Sequence, residues 1–151
     1  MTMEHHTHPD QLERYSFWWS ELRLVIAALA LFLGGVPPLY YVLRGSFAAY
    51  NLAHTLLVIA WLVSGVASVY MLYRWNAAKQ SVFGGNDTKD VTAFFISVVS
   101  GINLGLAGLL GRNPGMSIVA NRSIFVLVGL IYLVTAYYLY DRWNKSAKKM
   151  F

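Results

Sequence analysis

Four histidines and seven carboxylates hold most of the titratable chemistry available to this sequence, and cysteine is absent. Without thiols there is no disulfide, no thiolate metal site, no palmitoylation and no thiol redox chemistry. His5, His6 and His8 stand beside Glu4. Imidazoles at that spacing suit zinc, copper or nickel. Nothing around them would fix a coordination geometry, so a solvated tail over residues 1–9 is the expected reading. His54 is the one histidine inside an apolar stretch. It could relay a proton, bind a ligand or hold a haem axially. A haem in a helical bundle wants a second axial ligand, and only Met71 or Met116 could be offered. No cofactor and no bound metal are therefore expected, and His54 reads as an interfacial hydrogen-bonding residue. Asn103 is the most polar residue deep within an apolar run. It could line a polar path together with His54, although an asparagine so placed more often bonds a neighbouring helix. No serine, histidine and carboxylate fall into a nucleophilic set, so the chain is expected not to be an enzyme.

The elements that must position these residues are four long apolar runs, at about 24–43, 52–73, 91–111 and 123–140, none containing Asp, Glu, Lys or Arg. At about 1.5 Å per residue each can cross a hydrocarbon layer of about 30 Å, the last only just. Only 13% of the 151 residues are charged and 57% are hydrophobic, too little charge to clothe a soluble domain of this size. The fold class is thus an all-α integral membrane protein with four transmembrane helices. Residues 10–23 precede the first run. Pro9, Asp10 and Glu13 resemble a helix start with a capping box, and Leu12, Tyr15, Trp19 and Leu22 recur at helical spacing. Such a segment suits a short amphipathic helix in the headgroup layer, or an early start to the first span. Gly34, Gly35, Pro37 and Pro38 mark a kink or break near the end of that span. Asp87 or Thr88 is placed to cap the third.

Lysine and arginine divide unevenly about these spans. Nine fall on the side of the termini and the middle loop, against Arg44, Arg112 and Arg122 on the other. The excess places both termini in the cytoplasm, with the plasma (inner) membrane as the expected location. It accounts for the net charge of +5 without a nucleic-acid partner. Arg74-Trp75-Asn76 and Arg142-Trp143-Asn144 close spans two and four 68 residues apart, and Val58, Leu62, Val66 and Tyr70 meet Val126, Leu130, Val134 and Tyr138 at the same offset. The spacing suggests two like-oriented hairpins repeated about an axis along the membrane normal, although interfacial aromatics and inner cations alone would give part of the match. Arg74, Trp75, Arg142, Trp143, Lys145, Lys148 and Lys149 are expected to meet lipid headgroups, the last five within a basic tail region suited to anionic lipids.

Ser97, Gly101, Gly105 and Gly108 share one face of the third span. Small residues at this spacing let helix backbones approach closely. With charge-free spans and a basic tail, they favour a structural or accessory subunit that packs in a homo-oligomer or a larger membrane complex. The alternative is a small transporter or channel for a neutral or weakly polar solute. In span number the chain resembles small multidrug transporters, but the acidic residue that marks their first span is missing from residues 24–43.

Overall fold

Proline opens the first helix. Pro9 has no amide proton to leave unsatisfied, so it suits the first turn, and α1 runs without interruption over Pro9–Phe32. The computed structural model describes residues 8–151. Beyond α1 the helices are α2, Leu39–Val42; α3, Phe47–Ala77; α4, Thr88–Leu110; α5, Pro114–Ile118; and α6, Arg122–Lys145. Among the described residues there is no β-strand, only one isolated bridge between Val82 and Gly85. The helices α1, α3, α4 and α6 are each long and apolar enough to cross a membrane.

The helix ends follow local chemistry. Ser46 accepts from the Ala49 amide to start α3, Asp87 from Lys89 to start α4, and Asn121 from Ser123 to start α6. Each side-chain oxygen satisfies an amide that has no partner within the helix. Gly111 ends α4 in the left-handed conformation, φ 68°, where a side chain would be strained. α1 stops at Gly34 and Gly35, with φ of 78° and 90°.

The first span differs from its sequence expectation at both ends. No separate interfacial helix covers 10–23, because those residues are the beginning of α1. The helix ends at Phe32, eleven residues before Leu43, and Leu39–Val42 forms only a short turn of helix. The reason is continuous. Residues 10–33 contain no Gly, Pro or Asn to interrupt a helix, whereas Gly34, Gly35, Pro37 and Pro38 interrupt it decisively. This shift carries Glu13, Glu21 and Arg23 into a membrane-spanning helix, and all three are buried. The first span is not charge-free.

α3 packs most extensively along α4, and α1 along α6; α1 also meets α4 across the centre, while α3 and α6 stand apart. The α3–α4 contact is backbone on backbone. A Cβ added to Gly105 would lie 2.6 Å from the Gly65 Cα, and one on Gly108 3.1 Å from Leu62 Cδ2. Gly129 on α6 gives room in the same way to the Phe32 ring. The densest apolar core gathers at the end bearing both described termini, around Phe17, Met71, Phe94, Leu139, Trp143 and Met150.

Candidate functional site

Two buried carboxylates close the terminal end of the bundle. Glu13 Oε2 accepts from Arg74 Nη2 at 2.8 Å, and its Oε1 accepts from the backbone amides of Met150 and Phe151 at 2.8 and 3.2 Å. Asp90 is 1% exposed. It accepts from Arg142 Nε and Nη2 at 2.7 and 2.6 Å and from the Tyr138 hydroxyl at 2.7 Å. Each carboxylate thus accepts three hydrogen bonds, with at least one donor at each oxygen. Phe17 stacks on Trp143 with ring centroids 4.0 Å apart, and Phe94 lies against Trp75 at 6.1 Å. The chain after α6 turns back beneath the helices. Its Met150 carbonyl accepts from the Phe83 amide at 2.7 Å, and Phe151 packs edge-on against Phe94.

Deeper in the bundle stands Arg23, 5% exposed. Side chains on a helix lean toward its N-terminus, so the guanidinium drops from α1 to the level of Ser68 on α3 and Ser97 on α4. Nη1 donates to Ser68 Oγ at 2.8 Å; Nη2 donates to the Ser97 carbonyl and hydroxyl at 2.7 and 2.9 Å. Nε is buried without a hydrogen-bond partner. Ser68 and Ser97 lie six and seven residues inward of Arg74 and Asp90, which sets the guanidinium about 10 Å inside the ring of ion pairs. Glu21, two residues away on α1, is also buried, with Oε1 unpartnered. Among the described residues no carboxylate comes within ion-pair distance of Arg23; the pairs formed are those of Arg74, Arg142, Lys145 and Lys149. Gly101 explains how the group fits, since a Cβ there would collide with the guanidinium and with the Ser68 hydroxyl.

Beyond Arg23, toward the opposite end, the bundle opens into a cavity of about 720 Å³. α1, α3, α4 and α6 form its walls, and α2 and α5 its far side. Its lining is chiefly aliphatic and aromatic, including Trp19, Trp61, Met116 and Phe125, with Arg23, Ser64 and Ser100 among its few polar residues. Trp19 Nε1 donates to Ser64 Oγ at 3.0 Å, fixing the indole at the wall. Leu22, Ile26 and Leu29 of α1 and Leu56 of α3 line the cavity while remaining exposed, which sets its edge between those two helices.

The residues singled out from sequence are distributed unevenly about this site. Ser97 and Gly101 hold Arg23, and Gly105 and Gly108 seat α4 on α3. Asn103 lines the cavity, where its Nδ2 donates to Asn113 Oδ1 and its Oδ1 accepts from the Gly115 amide, both at 2.9 Å, anchoring α5. His54 does not join it. The His54 Nδ1 lies 2.9 Å from the Tyr40 hydroxyl, and its ring stacks on Tyr50, outside the cavity lining. Of the residues assigned to lipid headgroups, Trp143 is 1% exposed and belongs to the core, and Arg74 and Arg142 are committed to Glu13 and Asp90. Their inward turn follows from the buried carboxylates they neutralise. Lys145, Lys148 and Lys149 remain exposed, and Trp75 is half-buried. The metal reading at Glu4, His5 and His6 lies outside the described residues; His8 is exposed ahead of Pro9. The residue sequence reasoning missed is Arg23, because a search for charge-free runs ends a span at its first charge. The unbroken helical stretch 10–33 was the signal that could have found it.

Together the fold and the site define a four-helix membrane-spanning bundle with a cation at the floor of an apolar cavity. Comparison with family models, with curated proteins and with solved structures finds no match.

Proposed function

We propose that the protein is a small, non-enzymatic membrane carrier that holds a largely apolar small molecule within its bundle. The cavity of about 720 Å³ carries this reading. Its size falls in the range of small-molecule sites, and an apolar wall with a few convergent polar groups is their usual composition. The terminal end is sealed by two ion pairs and the returning chain, and the cavity lies wholly beyond that seal. With Arg23 counted as part of the bundle, eight lysines and arginines remain at the terminal end against three at the other. The carrier therefore sits with both termini in the cytoplasm and its cavity in the outer half of the plasma membrane.

We also infer that the two halves arose by duplication. Supporting this, the acid of each half's first helix pairs with the arginine closing its second, Glu13 with Arg74 and Asp90 with Arg142. Four residues after each acid stands a phenylalanine, Phe17 or Phe94, which meets the tryptophan of the other half. These exchanges are those of a two-fold axis along the membrane normal, as in parallel repeats.

The accessory-subunit reading rested on charge-free spans, a basic tail and the glycine face of α4, and the first span is not charge-free. The glycine face is occupied within the chain by Arg23, Gly65 and Leu62, so an obligatory partner would have to use the lipid-facing surface. Native mass spectrometry of protein released gently from membranes separates the two. The carrier reading expects a co-purifying small molecule that disappears when Ala60→Trp fills the cavity wall. A chain that is always bare argues against it, and a stoichiometric complex with other chains and no small molecule would restore the accessory role.

A further inference from the structure

Among the described residues, Arg23 is the buried cation that has no carboxylate within ion-pair distance. Serine hydroxyls and a carbonyl accept from its two terminal nitrogens while Nε is left without a partner, and neutral acceptors do not cancel a unit charge in apolar surroundings. A lone cation at this depth is costly, and such residues in membrane proteins characteristically mark a ligand or ion site. Packing alone does not ask for it. In α4 the residue six places after Phe94 is Ser100, whereas in α1 the residue six places after Phe17 is Arg23. A serine suffices at one of these two positions, and glycine is required at 101 to admit the guanidinium at the other. The exception faces the cavity: Arg23 belongs to both the hydrogen-bonded cluster and the cavity lining. Glu21 forms no ion pair with it, and the two interact only at longer range. Glu21 lies beyond ion-pair distance and borders a separate small void with Ser68 and Ser97.

We infer that the cavity binds an amphiphile with a single anionic head, a carboxylate or a phosphate, whose charge Arg23 balances while its apolar chain lies along Trp19, Trp61 and the α1–α3 edge. This rests on the carrier reading above and names its ligand class. A planar guanidinium is the side chain best matched to either oxyanion. The rest of the cavity offers contact to hydrocarbon and little else. Its edge at Leu22, Ile26, Leu29 and Leu56 is exposed along the halves of α1 and α3 away from the termini, where a chain already dissolved in the bilayer enters sideways.

The inference is tested on the full chain in nanodiscs of neutral phosphatidylcholine with two probes, a dansyl-labelled alkanoate and its uncharged methyl ester. Saturable energy transfer from the cavity-lining Trp19 and Trp61, read above the background of the other three tryptophans and of probe dissolved in lipid, reports occupancy. The acid should bind at least about tenfold more tightly than the ester, equivalent to about 1.4 kcal/mol. Arg23→Gln should bring the acid to the level of the ester, and Ala60→Trp, although it adds a donor, should abolish the saturable transfer to both. Should Arg23→Gln not fold, the acid–ester comparison in the unaltered protein still decides. Equal binding of acid and ester overturns the inference and leaves the carrier reading standing; no saturable transfer to either overturns both. Acid binding that survives Ala60→Trp also overturns it, because the anion would then be held elsewhere. Competition distinguishes the two sources of head: oleate displaces the probe if the ligand is a free acid, phosphatidate if it is a lipid phosphate, and displacement by neither counts against the inference.

Discussion

Asp90 shows how much of this bundle depends on single buried charges. It is held by both arms of Arg142 and by Tyr138, and the arginine lies over the Phe83 ring at 5.4 Å. Removing one partner of a buried pair leaves the other charged and unneutralised. Arg142 is a third exposed, so water relieves part of that penalty. Arg142→Ala should lower stability by about 2–3 kcal/mol, at the low end of what such losses cost. Adding Asp90→Asn should recover a large part of the loss, since the amide carries no charge. Thermal unfolding in mild detergent measures both, and a double variant no more stable than Arg142→Ala would deny the pair its role. The sequence marked Arg142 as a basic residue near the membrane surface. It did not mark Asp90 as its partner, because 52 residues separate them and only folding joins them.

At the scale of elements, α3 and α4 cross backbone on backbone. Gly65 and Gly105 meet there with no room for a side chain on either. Helices in lipid gain little from burying apolar groups against each other, so close backbone approach supplies much of their association. Gly105→Leu should therefore part α3 from α4 and cost about 1–3 kcal/mol or more, as forced overpacking does, whereas Gly85→Ala in the loop, with open space about it, should change little. A melting temperature unmoved by Gly105→Leu would contradict the crossing. The glycine spacing on α4 was legible from sequence as a packing face. Its partner was not, because a small-residue face fits any surface that comes close enough. α1 was the element least legible. Its charged first half resembles an interfacial helix by composition; nothing in residues 10–33 interrupts the helix, but only the packing of the other helices buries Glu13, Glu21 and Arg23.

For the whole molecule, the proposed orientation rests on charge asymmetry and is open to direct measurement. Because the chain has no cysteine, a single one can be introduced on an unaltered background. Cysteine at Ser146 should resist a membrane-impermeant maleimide in intact cells, and cysteine at Ser46 should react; the reverse pattern would invert the topology. The division of labour between sequence and fold is clear at this scale. Sequence alone determined that four segments are long and apolar enough to cross a membrane, and it narrowed the start of α4 to Asp87 or Thr88. A helix in lipid must satisfy its backbone within itself, so length, hydropathy and caps are properties of each segment alone. Only the tertiary structure decided that Arg23 turns inward, that Glu13 gathers Arg74 and the returning chain, and that the packing leaves a cavity beyond them. These depend on residues 45 to 137 positions apart in the chain, and no local pattern encodes which of several possible partners a buried charge will meet.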